Sequence, residues 1–238
     1  MKYNNYSFTR ETNTYYDQGL RVYMLSIYQN MSMALGISAL VAYIVGSNSQ
    51  IAMMIFSTPL AYIAMFAPLG YIFFFSRKLM NMDRTQAMLH LGIFAALNGL
   101  SLGSIFLVYT TASIAKTFFI TASIFGAMSI YGHTTRKDLT SLGSFAYMGL
   151  IGLVIASLIN IFLRSAALDF AVSFIGVGVF IILTAYDTQK LKSIYYAMNG
   201  NTARAGNIAV YGALTLYMDF INLFIMLLHF FGIRRNDD

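Results

Sequence analysis

The sequence predicts an all-α, polytopic membrane protein with seven transmembrane helices. Hydrophobic residues make up 58% of the 238 residues and charged residues only 10%, whereas a soluble domain has roughly half and a quarter, respectively. Apolar runs long enough to cross a bilayer occur seven times. Lys and Arg are concentrated in alternate segments between these runs. Together, these observations indicate a chain whose main solvent is lipid.

The seven runs are identified by length, because a spanning helix needs about 20 mostly apolar residues. They divide the chain into a polar cytoplasmic N-terminal tail (1–23), a seven-helix transmembrane domain (24–231) and a short C-terminal tail (232–238). A cleaved signal peptide is an alternative for the first run, but its flank is long and carries acidic residues, which favours an uncleaved span. The runs lie at residues 24–46, 51–75, 86–110, 112–132, 141–163, 168–189 and 208–231.

The boundaries between the runs differ in strength. The second run contains both prolines of the chain, Pro59 and Pro68, and a proline inside a helix removes a hydrogen bond, so we expect a kinked second helix. The third and fourth runs meet at Thr110-Thr111 with almost no polar spacer. A tight hairpin is expected there because 47 residues are too many for one span, and six or eight spans remain alternatives.

The orientation follows from the distribution of Lys and Arg. With the N-terminus in the cytoplasm, the inner segments carry eleven of these residues and the outer segments three, and basic residues favour the cytoplasmic side. Seven spans then leave the C-terminus outside. Arg234 and Arg235 are the discordant residues, and they would lie inside if one run were re-entrant.

Two acidic residues lie within the last two runs. Asp219 is near the middle of the seventh run and Asp187 toward the inner end of the sixth. An ionisable group at the bilayer centre costs roughly 2.5–3.5 kcal/mol on insertion scales, so it needs a partner or access to water. Two carboxyl groups close together in low dielectric share a proton and titrate as a unit. The pair is therefore a candidate proton sensor that controls whether two helices stay together.

The helical faces around these acids are polar. Thr184 lies on the face of Asp187, and Thr215 and Asn222 lie on the face of Asp219. A structural alternative is that Asp187 pairs with Lys190 or Lys192 at the interface and Asp219 bonds to Asn222 or to a backbone group. Spacing leaves both interpretations open.

Several classes of function are disfavoured. The chain has no Cys, so disulfides, thiolate metal sites and cysteine nucleophiles are excluded. Its three isolated histidines do not have the spacing of a metal site, and no cofactor motif is found. The basic residues are dispersed among apolar runs, which is not typical of nucleic-acid binding. An intramembrane aspartyl protease remains an alternative because two acids sharing a proton is its chemistry, although the residues before Asp219 lack a glycine-flanked motif. We therefore do not expect this protein to be an enzyme.

Four segments resemble the Bax inhibitor (transmembrane Bax inhibitor motif) family, most closely its bacterial inner-membrane branch. The resemblance extends from about Tyr15 to Ile233. The segments are Tyr131–Thr140, Met148–Gly152, Thr184–Lys192 and Gly212–Phe224.

This resemblance implies a specific fold and activity. It implies six helices around a central seventh, a location in the cell inner (plasma) membrane, and a pH-sensitive leak of Ca²⁺ in which Asp187 and Asp219 are the paired acids near the cytosolic side. The second run has no basic residue, so an acid–base partner from that helix would have to be Arg77 at its end. Some bacterial relatives restrain a membrane-bound protease, so a non-enzymatic regulator of such a protease or of translocation machinery is the alternative function.

Overall fold

The computed structural model describes residues 4–79, 82–198 and 202–235, with side chains described for 18–79, 82–198 and 206–235. Long α-helices make up most of the described chain. Residues 1–3 of the predicted tail and residues 236–238 lie outside the described residues. The helices are α1 (Asn4–Ser47), α2 (Ser49–Phe56), α3 (Leu60–Lys78), α4 (Arg84–Leu102), α5 (Ile105–Val108), α6 (Thr111–Thr134), α7 (Thr140–Leu163), α8 (Ala166–Ala197) and α9 (Thr202–Phe231).

Seven of the described segments are long and apolar enough to cross a membrane, judged by length and composition. The predicted all-α fold with seven spans is thus confirmed. The first span begins at Gln18, within α1, and the third joins α4 and the short α5. The spans are Gln18–Ser47, Leu60–Lys78, Arg84–Val108, Thr111–Thr134, Thr140–Leu163, Ala166–Ala197 and Gly206–Phe231.

The second apolar run is broken rather than kinked. The chain ends α2 at Phe56 and starts α3 at Leu60, directly after Pro59. Asn48 caps α2 by accepting hydrogen bonds from the N–H groups of Gln50 and Ile51 at 3.0 and 3.3 Å. The prolyl nitrogen has no hydrogen to donate, so the break lies where a helical hydrogen bond is missing.

The hairpin expected at Thr110-Thr111 is present and is tied to the C-terminal segment. Thr110 begins α6 as its N-cap by accepting a hydrogen bond from the N–H of Ser113 at 3.3 Å. Its own N–H donates to the carbonyl of Ile233 at 3.1 Å, and the N–H of Arg235 donates to Val108 at 3.0 Å. The C-terminal segment therefore lies at the same end of the fold as this hairpin, as an odd number of spans requires.

Helix α9 is the central helix. It packs against α1, α4, α6 and α8, while α7 packs on α8 and α3 on α4. Its residues Val210, Ala213, Leu216, Tyr217 and Leu223 are fully enclosed. The expectation of six helices around a central seventh is met by four helices that pack directly on α9 and by two, α3 and α7, that reach it through α4 and α8. A polar residue on the inner face of α9 therefore has protein around it instead of lipid.

Candidate functional site

We call the end of the fold at which α6 joins α7 the inner end, and the end that carries the Thr110 hairpin the outer end. Asp187 lies inside the protein, on the inner half of α8. Its side chain is 2% exposed. The neighbouring hydroxyl groups are satisfied within the same helix, since Thr184 donates to the carbonyl of Phe180 at 2.7 Å and Thr188 to that of Thr184 at 2.8 Å. Thr184, predicted as part of the supporting polar face, is buried beside the acid but bonds to its own helix. The carboxyl group of Asp187 therefore depends on other helices for its partners.

Tyr147 of α7 provides one of these partners. Its hydroxyl donates to both carboxylate oxygens of Asp187, at 3.1 and 3.2 Å. Sequence reasoning missed this residue because it is one of 17 tyrosines and lies in an otherwise ordinary apolar run. Tyr147 lies about two helical turns from the inner end of α7, and Asp187 lies about three turns from the inner end of α8. Their positions in the inner parts of their helices were the available signal, but this does not indicate which tyrosine faces the acid.

Asp219 of α9 is the second partner of Asp187. It is 6% exposed, and its carboxyl group contacts that of Asp187 within hydrogen-bonding reach. One of its oxygens, Oδ2, is buried without a donor among the described residues. A carboxylate can only accept, so a hydrogen bond between two carboxyl groups requires a proton on one of them. The contact can thus hold one proton between α8 and α9.

Two glycines let neighbouring helices approach the aspartate pair, Asp187 and Asp219, closely. A Cβ atom at Gly132 of α6 would overlap the carbonyl oxygen of Ala185, and one at Gly143 of α7 would overlap the ring of Tyr186. Small residues allow such close backbone contact between membrane helices. The pair is consequently enclosed by α6 and α7 as well as by α8 and α9.

The inner loop between α6 and α7 is fixed to α8 two residues after Asp187. The side-chain amide of Gln189 donates to the carbonyl of Lys137 at 2.8 Å and accepts from the N–H of Leu139 at 2.9 Å. Lys192 donates to the carbonyl of His133 at 2.9 Å. The aspartate pair therefore lies directly beneath a hydrogen-bonded inner surface of the protein.

The basic side chains near the pair contact other groups. Lys190 lies over the rings of Tyr147 and Tyr186, at 6.0 and 5.8 Å from their centroids, which is at the limit of a cation–π contact. The proposed pairing of Asp187 with Lys192 is not seen, because Lys192 bonds to the α6 backbone. Arg77 is not brought to the pair either: its guanidinium lies 3.9 Å from the centroid of Phe73 on its own helix.

The two other residues of the predicted polar face bond to their own helix. Thr215 donates to the carbonyl of Tyr211 at 3.1 Å, and Asn222 donates to that of Met218 at 2.8 Å. The suggested hydrogen bond from Asn222 to Asp219 is therefore replaced by a local one. Helical spacing predicts that these residues share one side of α9, but it does not fix the direction of each side chain.

A row of buried hydroxyl groups on α6 leads from the outer end of the fold to the pair. Ser113, Thr117, Thr121 and Ser129 are all buried. The first three follow one another at four-residue steps, so neighbouring members lie close together on the helix, and Ser129 lies eight residues further on, beyond the buried side chain of Phe125. Ser113 accepts a hydrogen bond from the N–H of Ile233 at the outer end, at 3.0 Å. Ser129 approaches Thr188 at 3.5 Å, next to Asp187. Sequence reasoning missed this row. Among the described residues no three His, Asp or Glu side chains gather as a metal site would require.

Comparison with known protein families identifies the chain at the family level. The profile of the family described as "Inhibitor of apoptosis-promoting Bax1" matches residues 20–236, a range that contains both aspartates and Tyr147. The chain belongs to the Bax inhibitor family. The resemblance inferred from the sequence motifs is thus confirmed.

Bacterial members of the Bax inhibitor family match the chain over almost its full length. An uncharacterized protein of Rickettsia prowazekii is 47% identical over 228 residues, or 96% of each chain. A protein of Escherichia coli named inner membrane protein YbhL is 44% identical over 219 residues, which cover 91% of this chain and 94% of its own. An uncharacterized protein of Caulobacter vibrioides is 43% identical over 228 residues. The chain is therefore a polytopic membrane protein of this family.

Proposed function

We propose that this protein is a pH-sensitive leak pathway for cations, with Ca²⁺ as the ion, and that the aspartate pair is its proton-dependent gate. The observation that carries the proposal is the contact of two buried carboxyl groups on adjacent membrane helices, α8 and α9. Such groups are costly in a membrane interior and in general mark ion or proton pathways. The family membership agrees with the fold but leaves the activity to be tested.

The closed state is the pair with a single proton. Protonated Asp219 donates to Asp187, and the hydroxyl of Tyr147 donates to the same carboxylate from α7. Hydrogen bonds to an ionised acceptor are roughly twice as strong as neutral ones. One carboxylate thereby holds α7, α8 and α9 together.

Acidification opens the gate in this scheme. A second proton makes Asp187 neutral, so the two charge-assisted hydrogen bonds become ordinary ones and the helices separate more easily. The Ca²⁺ leak should therefore increase as the pH falls and decrease toward alkaline pH.

Another carboxyl group of the inner loop is unsuited to this role. Asp138 accepts hydrogen bonds from the N–H and the hydroxyl of Thr140, at 2.9 and 2.6 Å. These bonds hold the pKa of Asp138 below its ordinary value, so the group stays ionised throughout the neutral range. It also lies on the exposed surface. Asp138 is therefore not the source of a pH response near neutrality.

The hydroxyl row of α6 is the route we propose for the ion. Ca²⁺ is a hard cation that binds oxygen ligands, and the row supplies them from Ser113 at the outer end to Ser129 beside the pair. Two carboxyl groups at the inner end suit the same ion. Separation of α8 from α9, both of which pack against α6, would connect this row to the inner surface.

The proposed setting is the bacterial inner membrane, with the N-terminus in the cytoplasm and the C-terminus outside. The name of the Escherichia coli relative supports the location. The excess of Lys and Arg in the inner segments, eleven against three, supports the orientation. The aspartate pair then lies at the cytoplasmic end of the pathway.

Calcium flux in proteoliposomes tests the proposal. Wild-type protein, Asp187→Asn and Asp219→Asn are reconstituted with an internal Ca²⁺ dye, and uptake is measured from acidic to alkaline pH. We expect the wild type to take up more Ca²⁺ at acidic pH and both variants to lose this dependence, because an amide cannot exchange the shared proton. Asp169→Asn, an exposed acid at the other end of α8, is the matched control and should behave as the wild type. Equal flux in all four proteins at every pH would refute the proposal.

A further inference from the structure

A groove runs between α1 and α6 for most of the depth of the fold. It consists of an inner cavity of about 920 Å³ and an outer cavity of about 330 Å³. Leu35, Ala39, Phe118 and Phe220 line both cavities, so the two adjoin, and Phe220 of α9 forms part of the floor. The α6 wall extends for about 35 Å at 1.5 Å per residue, comparable to a hydrocarbon core of about 30 Å. We call this feature the α1–α6 groove.

The walls of the α1–α6 groove carry small residues that contact nothing across it. Gly36 on α1 and Gly126 on α6 have no heavy atom within 4 Å of the position of an added Cβ. Faces of small residues normally bring membrane helices into contact, yet α1 and α6 are not among the closely packed helix pairs. The rim faces outward, since Phe119 and Ile130 are strongly exposed. A groove of this kind opens to the lipid.

The inner end of the groove is basic. Arg21 lines it on α1 and His133 on α6, and no acidic residue lines it among the residues whose side chains the structure describes. Lys192 lies nearby, because its Nζ donates to the His133 carbonyl. A phosphate group is complementary to this end and acyl chains to the apolar remainder. Anionic lipids attract basic residues at the membrane surface.

We propose that the α1–α6 groove binds an anionic phospholipid, with its phosphate at Arg21 and its acyl chains along the small-residue walls. The groove also reaches the gate region. Tyr28, which lines the groove, approaches Ser129 and Thr188, and Thr188 follows Asp187 in the chain. The bound lipid therefore contacts a side chain that reaches the segment of α8 carrying Asp187, although its binding does not depend on the leak activity.

Native mass spectrometry of the protein released from nanodiscs tests this proposal. The nanodiscs contain equal amounts of phosphatidylglycerol and phosphatidylcholine. We expect wild-type protein to retain phosphatidylglycerol preferentially, and Arg21→Gln to reduce that preference about fivefold, the effect of one basic residue near a lipid surface. Lys116→Gln, an exposed basic residue on α6 that does not line the groove, should leave the preference unchanged.

Variants that fill the groove distinguish lipid bound at this site from lipid that adheres to the rest of the protein surface. Gly126→Leu and Gly36→Leu place a side chain in the open space of either wall and should abolish retention of both lipids. Gly178→Leu on α8 also meets open space but lies outside the groove, and it should retain lipid as the wild type does. The proposal would be overturned if both groove variants retained lipid as the wild type does, or if the wild type retained the two lipids equally. It would also be overturned if the wild type formed a lipid-free dimer that the two groove variants do not form.

Discussion

Removal of one hydroxyl group, in Tyr147→Phe, is expected to weaken the closed gate without disturbing its packing. The hydroxyl donates to both oxygens of Asp187 at 3.1 and 3.2 Å. The phenyl ring retains the edge-to-face contact with Tyr186, whose centroid is 6.0 Å away at an interplanar angle of 87°. The substitution therefore removes an interaction that belongs to the singly protonated pair and leaves the hydrophobic contact in place.

The size of the effect follows from the charge and exposure of this hydrogen bond. A hydrogen bond to a charged group contributes about 1.5–3 kcal/mol. Tyr147 is 38% exposed, so water competes and the lower part of that range, about 1.5–2 kcal/mol, applies. Since 1.4 kcal/mol is a factor of ten in an equilibrium constant, the closed-to-open ratio should fall by about 10- to 30-fold. Leak at neutral pH should rise by the same factor while the closed state still predominates.

Calcium uptake into proteoliposomes at neutral pH measures this change. Tyr186→Phe is the matched control, because it removes a hydroxyl from the neighbouring ring that does not donate to Asp187, and its leak should equal that of the wild type. The reasoning is refuted if Tyr147→Phe leaks no more than Tyr186→Phe while both proteins remain folded by circular dichroism.

Three further substitutions or fusions test the packing and the topology. Gly132→Ala should lower stability in detergent by about 1–3 kcal/mol, because its Cβ would overlap the carbonyl of Ala185, whereas Gly178→Ala meets open space and should leave the melting temperature unchanged. Ser38→Ala should cost about 1–3 kcal/mol by thermal unfolding, since it leaves the enclosed hydroxyl of Tyr217 without the serine that lies 2.7 Å away; a melting temperature equal to that of the wild type would contradict this. Because we expect the C-terminus outside, alkaline phosphatase fused to it should be active in cells and a fluorescent protein fused to it should be dark. The reverse result would place the C-terminus inside.

The architecture was largely predictable because the bilayer restricts it. A spanning segment must satisfy its own backbone hydrogen bonds, so seven apolar runs become seven helices, and even the weak boundary at Thr110-Thr111 was found. The proline-rich second run was harder. The sequence predicted a kink, whereas the chain breaks completely between Phe56 and Leu60. Proline marks the site of disruption but does not determine whether neighbouring helices hold the two pieces in line. The central position of α9 came from the family resemblance and not from periodicity.

The candidate site was only partly predictable. Asp187 and Asp219 stood out because a buried acid is costly wherever it lies in a membrane span. Tyr147 carries no such cost, so composition does not distinguish it from other tyrosines. Arg77 was selected for its charge, but it stacks on Phe73 of its own helix. Contacts between helices depend on the rotation of each helix, which single-sequence spacing fixes only approximately, and a groove between two helices leaves no local pattern at all.

The proton held between Asp187 and Asp219 is the central claim, and infrared spectroscopy of the reconstituted protein measures it directly. At neutral pH we predict a protonated-carboxyl band in the wild type and in Asp169→Asn that is absent in Asp219→Asn. The band of the wild type should grow on acidification in step with Ca²⁺ uptake, as the second proton binds. Absence of the band in the wild type at neutral pH, or an unchanged band in Asp219→Asn, would contradict the account.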